Sequence, residues 1–345
     1  MSNKNRPALF DITFVGAGPT GLFGAFCAGM RDLSVKVIDA LPHAGGQLIA
    51  LYPEKLIYDT PGFYEVRAKD LIQNLIDQAS QWKPEFVFNQ RALNLLQDTH
   101  PEVSPEDKIW IIETDQERHF TKTVVIAAGV GAFQPIRLNN ESVDRFEHNG
   151  VEYMIHNIEA YKDKRVLIVG GGDSAIDWAL ALEPVSEQVT LIHRRDGFRA
   201  HDASINALMQ STVEVLVFNE LRELQGASHL ERCVIFNNQN QEDRTLDIDA
   251  VILALGFKAD LGPMRTWGLE TIGRRYIRVN RRMETNLPGV YAAGDIASQE
   301  DIDPLNLIVM GYGQVTVAVN YACTKIKPGE KVFPGHSSGK LHRET

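Results

Sequence analysis

Two glycine-rich turns, Gly16-Ala17-Gly18-Pro19-Thr20-Gly21 and Gly170-Gly171-Gly172-Asp173-Ser174-Ala175, constrain this chain more than any other feature. Aliphatic residues lead into both: Ile12, Phe14 and Val15 into the first, Val166, Leu167, Ile168 and Val169 into the second. At the same offset beyond each turn comes another aliphatic run, Val35-Lys36-Val37-Ile38 and Val189-Thr190-Leu191-Ile192. One such string is weak evidence, since glycine turns are common. Two, with matched flanks, predict two strand–turn–helix–strand units of the dinucleotide-binding kind. The first glycine permits the tight turn, and the second lets the backbone approach a pyrophosphate. The third small residue, Gly21 or Ala175, lets helix pack on strand. Each helix start then offers free N–H groups and a positive dipole end to phosphate oxygens.

The end of the second strand distinguishes the two units. In the first it carries Asp39, whose carboxylate accepts hydrogen bonds from ribose hydroxyls and repels a 2′-phosphate. In the second it carries His193, Arg194 and Arg195, with Arg199 and His201 close behind and no carboxylate at the equivalent place. Guanidinium forks match a phosphate dianion in shape and charge. Each charge-assisted hydrogen bond contributes about 1.5–3 kcal/mol, enough to favour NADPH over NADH. The expectation is FAD in the first unit and NADP(H) in the second, held there by Gly170, Gly172, Asp173, Ser174 and Ala175 together with the cations.

The fold class expected is α/β: two Rossmann-like, three-layer dinucleotide-binding domains, the NADPH domain inserted into the FAD domain. The FAD domain is read as 8–134 plus 285–345 and the NADP(H) domain as 135–284. Thr123-Val124-Val125-Ile126-Ala127-Ala128-Gly129 suits a buried edge strand near the flavin, and Leu287-Pro288-Gly289-Val290-Tyr291-Ala292-Ala293-Gly294-Asp295 a strand returning to the first domain. Crossings near Gly129 and Pro135, and near Glu284 and Gly289, would act as hinges that let the second domain deliver its nicotinamide.

Hydrophobic residues at 44% and charged ones at 23% are ordinary for a globular chain. The start, Met1-Ser2-Asn3-Lys4-Asn5-Arg6-Pro7, lacks a signal-like apolar core, and no apolar run has membrane-spanning length, so a cytoplasmic protein without membrane contact is expected. The net charge of −10 argues against nucleic acid as the main partner. Two arginine-bearing stretches, 194–199 and 274–282, stand out against it. The three cysteines, Cys27, Cys233 and Cys323, are far apart, which rules out a Cys-x-x-Cys redox pair and zinc-ligand spacing. No metal site and no Ser/His/Asp triad is expected.

Together the two glycine turns, Gly45-Gly46-Gln47-Leu48, His193-Arg194-Arg195-Asp196 and Ala293-Gly294-Asp295 resemble the thioredoxin-reductase-like flavoproteins over essentially the whole chain. Thioredoxin reductase itself carries its cysteine pair shortly before the second glycine motif, where this chain has none. Tyr52-Pro53-Glu54-Lys55, Gly172-Asp173-Ser174-Ala175-Ile176-Asp177-Trp178 and Gly335-His336-Ser337-Ser338 instead resemble the ferredoxin–NADP(+) reductases built on that scaffold. The resemblance implies a homodimeric enzyme that passes electrons from NADPH through FAD to ferredoxin or flavodoxin. It further implies FAD contacts from Gly16, Gly18, Thr20, Gly21, Asp39, Gln47, Tyr52, Ala92, Phe133 and Asp295. Tyr52 and the His336 of a partner-subunit tail would stack on the flavin, with Ser337 and Ser338 bonding nearby. For Asp295 a helix N-cap before Ile296 is a second reading. A diaphorase reducing a quinone or small disulfide, and a non-catalytic redox sensor, stay open beside the reductase.

Overall fold

Strand β1 (Leu9–Val15) is buried along its second half, and no residue of β2 (Val35–Ile38) is exposed. Strands apolar on both faces belong in the middle of a parallel sheet, covered on each side. The computed structural model describes residues 8–333 apart from 101, 103, 105–107, 156 and 301, together with 335 and 336, and it puts both strands there. Helix α1 (Pro19–Gly29) starts with proline, whose missing N–H costs nothing at a first helical position. Val15 and Ile38 pair in parallel at the ends of β1 and β2, so the chain enters α1 above their carboxyl ends.

Strand β3 (Arg118–Ile126) lies beside β1 in parallel register. On its other edge, its first half takes Ile109–Thr114 antiparallel and its last residues take Val290–Ala292 in parallel. The stretch expected as an edge strand is therefore central. The reason is that Trp110, Ile111 and Ile112 are themselves buried and need a partner on each side, the far one being Ala92–Asp98.

The second unit repeats the plan. Strand β4 (Arg165–Gly170), helix α2 (Asp173–Leu182) and strand β5 (Gln188–His193) surround the second glycine turn. A five-stranded parallel sheet runs Val151–Glu152, Ala250–Ala254, β4, β5, Glu214–Val217. Side chains alternate between its faces: Leu167 and Val169 join one apolar cluster, Val166 and Ile168 another. Three antiparallel strands, Asn219–Gln225, Arg232–Asn237 and Asp243–Asp247, extend the first of these faces.

By internal contacts the chain divides into two compact units. One takes the described residues up to Ala50, Leu56–Ala132 and those from Ala259 on; the other takes Leu51–Lys55 and Phe133–Lys258. This differs from the boundaries read in the sequence in three places, the smallest being Phe133 and Gln134, which fall in the second unit. Residues 259–284 join the first unit because Leu261, Met264, Trp267, Ile277, Val279 and Met283 share its core, and Trp267 donates its indole N–H to the Leu93 carbonyl at 2.9 Å. The short segment Leu51–Lys55 joins the second unit because Tyr52 and Lys55 both bond to α2.

In the first unit, β6 (Tyr276–Val279) runs antiparallel to Thr271–Ile272 and parallel to β8 (Ala297–Gln299), while β7 (Val290–Ala292) completes the main sheet. Helix α3 (Ile308–Ile326) buries Val315, Ala318, Val319 and Ala322 in the same core as β1 and β3. No helix among the described residues is long and apolar enough to cross a membrane.

Candidate functional site

The two glycine turns share one steric logic. A Cβ on Gly16 would overlap the Ala127 carbonyl, and one on Gly170 would overlap the Ala254 carbonyl. Both first glycines are thus jammed against the neighbouring central strand, and Gly16 is further held at φ +113°, where other residues are strained. The second glycines are the opposite. Around a Cβ on Gly18 the nearest foreign atom lies at 3.9 Å, around one on Gly172 at 3.8 Å. The backbone is bare there, above a helix N-terminus whose cap makes no side-chain hydrogen bond. That combination, tight first glycine and open second, fits a pyrophosphate in each unit.

Around the first turn the structure assembles several of the expected FAD residues. Asp39 accepts the Ala17 N–H at 2.6 Å and the Leu41 N–H at 2.8 Å, which fixes the carboxylate while leaving lone pairs for ribose hydroxyls. Burial pushes its pKa up, against those two donors, which favour the charged form. Gln47 opens a short helix, Gln47–Leu51, and its amide lies against Gly129 at the end of β3, where a Cβ would stand 2.9 Å from Nε2. Thr20 sits in the first turn of α1, its hydroxyl close to Gly294 and Gly311.

Asp295 follows Gly294 in the turn between β7 and β8. No helix begins at Ile296, so the N-cap reading is corrected: the next element is a strand. Burial raises the Asp295 pKa and the field of Arg275 opposes the rise. Ala92 begins the edge strand Ala92–Asp98, two positions after Gln90, whose N–H bonds the Asp39 carbonyl.

Tyr52 makes its contacts within the second unit. Its hydroxyl is 3.1 Å from that of Ser174, its ring stacks on Trp178 at 6.3 Å, and Lys55 beside it pairs with Asp177 at 2.6 Å. Those partners all lie on α2, at the second glycine turn. His336 is exposed and meets Phe333 edge-on, with ring centroids 5.5 Å apart. Phe133 lies in a strand, Ala132–Pro135, but its side chain, like Ser337 and Ser338, lies outside the described residues.

In the second unit the loop after β5 is tied back onto the glycine turn. Arg199 donates its N–H to the Gly171 carbonyl at 2.7 Å, and His201 donates its own to Asp173 at 3.0 Å. The His193 ring covers Gly171 and stacks on Phe198 at 5.4 Å. Arg194, Arg195 and Arg199 remain exposed. Burial lowers the His193 pKa, a hydrogen bond that the ring donates to the Gly197 backbone opposes this, and the three arginines add to the lowering. A dianion placed among those cations would be met by three guanidinium charges, against the single carboxylate of Asp196 in the loop 193–199.

Three contributors were not among the expected site residues. Gly46 packs its Cα against that of Gly18, and Gln314 on α3 accepts the Gly294 N–H at 2.7 Å. Asn238 donates to the Arg194 carbonyl at 3.0 Å. Only Gly46, in a glycine doublet, was findable locally.

Residues 10–322 match the family described as pyridine nucleotide-disulphide oxidoreductase. The chain belongs to that family. Within it, a ferredoxin–NADP reductase of Symbiobacterium thermophilum is 50% identical, covering 97% of this chain and 98% of its own. Another, from Halalkalibacterium halodurans, is 47% identical over 98% of this chain and 99% of its own. Among solved structures, thioredoxin reductases of Lactococcus lactis and T. acidophilum superpose with a TM-score of 0.75 each. They cover 92% of this chain at 20% and 22% identity, with 99% and 98% of their own chains matched, and they establish the two-domain FAD/NAD(P)-binding α/β fold. Unlike the disulphide reductases that give the family its name, this pyridine nucleotide oxidoreductase has no dithiol. Burial pushes the Cys27 thiol up to about 11 and the Cys233 thiol to about 12, and Cys323 is buried as well.

Proposed function

We infer that this chain is an FAD-dependent ferredoxin–NADP reductase, carrying electrons between NADPH and ferredoxin. The observation that carries the reading is a pair of glycine turns alike in their packing, a jammed first glycine and an open second, and opposite in charge. Asp39 ends the second strand of one; Arg194, Arg195 and Arg199 follow that of the other. The names of the full-length relatives supply ferredoxin as the acceptor.

FAD is assigned to the unit holding Gly16, and NADP(H) to the unit holding Gly170. Gly18 and the start of α1 would hold the flavin nucleotide's pyrophosphate, Asp39 its ribose, and Gln47 and Asp295 the flavin end. Gly172 and the start of α2 would hold the NADPH pyrophosphate, with the arginines on its 2′-phosphate. FAD held by these residues would supply chemistry that reconciles a two-electron nicotinamide with a one-electron carrier. The chain's own contribution is to bind, orient and shield. Its three separate thiols offer no relay.

The homodimer belongs to the same reading, with His336, Ser337 and Ser338 of a partner's tail closing over the flavin. Exposed apolar side chains on the first unit, Tyr58, Phe63, Tyr64, Leu305 and Met310, support a subunit contact. Flavodoxin is a second acceptor of the same electron count. A cytoplasmic location follows from dependence on soluble NADPH.

Reduction of cytochrome c by NADPH, with and without ferredoxin, tests the activity. Strong stimulation by ferredoxin is expected. Equal rates without it would leave a diaphorase, and bound FAD that NADPH does not bleach would leave a sensor.

A further inference from the structure

The stretch 274–282 is used by neither nucleotide site. Five arginines lie in it, Arg274, Arg275, Arg278, Arg281 and Arg282, and no carboxylate occurs among them, in a chain whose net charge is −10. The structure sorts them. Arg278, on β6, is neutralised by Glu300 at 3.0 Å and Glu270 at 3.7 Å. Arg274, Arg275, Arg281 and Arg282 are exposed and form no ion pair among the described residues. Arg275 and Arg282 lie over the rings of Tyr276 and Tyr321, each 5.1 Å from the centroid, which braces the guanidinium while leaving its charge unpaired.

Position gives this cluster its meaning. Strand β6 runs parallel to β8, with Ile277 beside Ala297 and the Ile277 N–H donating to the Ile296 carbonyl at 2.7 Å. The Arg274–Arg275 turn is thereby set next to Asp295, in the turn assigned above to the flavin end. An acidic protein approaching a molecule of charge −10 is repelled over most of its surface. A local cation cluster captures and orients it, chiefly by raising the on-rate.

We propose that Arg274, Arg275, Arg281 and Arg282, flanking β6, form the docking surface for the acidic face of a small iron–sulfur electron carrier, at the rim of the flavin site. The proposal rests on the ferredoxin–NADP reductase reading and names where its acceptor binds.

The test compares the FAD-loaded wild type with an Arg274→Glu/Arg281→Glu double variant, neither residue having a part in nucleotide binding. Acceptors are a purified ferredoxin of net negative charge and the neutral quinone menadione. The variant is expected to raise KM for ferredoxin roughly ten-fold at low salt, as loss of about 1.4 kcal/mol of association does. Menadione reduction should be unchanged. The difference should vanish near 1 M salt, where screening acts within about 3 Å. Arg274→Lys/Arg281→Lys, which keeps the charge, should behave as wild type. An unchanged KM for ferredoxin in the Glu variant overturns the docking surface alone. A wild type that reduces menadione but no ferredoxin overturns the acceptor reading, and the surface with it.

Discussion

Gly16 and Asp39 act on each other through one peptide unit. The Gly16 turn aims the Ala17 N–H at Asp39 Oδ2, 2.6 Å away, so turn and carboxylate are set together. Gly16→Ala puts a methyl into the Ala127 carbonyl at a φ of +113°. It should cost about 2–3 kcal/mol and yield protein deficient in FAD, read from visible absorbance against the 280 nm band. Asp39→Ala should leave the fold intact and weaken FAD binding about thirty-fold, equivalent to about 2 kcal/mol, measured by titrating the apoprotein with FAD. Retention of full FAD by Gly16→Ala would sink the steric argument. Both positions were legible in the sequence because their roles are local, one fixed by a turn and one by an offset. Gln314 was not, since its partner, Gly294, comes from another stretch of chain. Tyr52 shows the same limit from the other side, for its motif was readable but its contact with Ser174 was not.

Two devices hold whole elements in register. Lys36 on β2 is buried, pairs with Glu85 at 2.9 Å and donates to His119 Nδ1 at 3.2 Å. The proton of His119 therefore sits on Nε2, which donates to Gln90 Oε1 at 2.8 Å. Thr114 also donates to that oxygen, and Gln90 donates to Glu117, so β2, β3 and the segment carrying Asn89 and Gln90 past Asp39 are tied together. Burial first, then Lys36, holds the His119 pKa below its ordinary 6.5, against the fields of Glu117 and Glu85. Between the folded value and 6.5 the unfolded chain binds more protons. Stability is thus complete above 6.5 and falls as pH drops toward the folded value. Urea midpoints should decline on that side, and His119→Gln, which can keep both hydrogen bonds, should flatten the decline.

The second device is Arg31 at the end of α1. It is 6% exposed and donates to Asn320 on α3 at 2.8 Å, and to the Val332 and Lys331 carbonyls at 3.1 and 2.8 Å. The chain that leads to Phe333 and His336 thus departs from a fixed point. Arg31→Met should cost about 2–3 kcal/mol by stranding those acceptors. It should also speed tryptic cleavage after Lys331, and it should alter flavin fluorescence if the tail closes over the flavin. Nothing local marks Arg31, an ordinary basic residue in sequence whose partners lie near the other end of the chain.

One chain has used the same strand–turn–helix device twice and made the two copies differ where it counts. The sheets, the jammed first glycines and the open second glycines are common to both units. The duplication was readable because parallel strands buried on both faces leave apolar runs that flank each turn. The boundaries were harder, because residues 259–284 are assigned by which core Trp267 and Ile277 join, and pairing across long separations leaves no local trace. If the copies are independent, nucleotide choice can be altered in one without touching the other. Arg194→Ala/Arg195→Ala should raise KM for NADPH at least about ten-fold, through loss of exposed charge-assisted bonds, and change KM for NADH little. FAD content should stay at the wild-type level, because Asp39 and its two backbone donors belong to the other unit. Equal losses for both nucleotides would show that these arginines do not read the 2′-phosphate. A fall in bound FAD would show that the two cradles are coupled, and that the second cannot be read as a module with its own specificity.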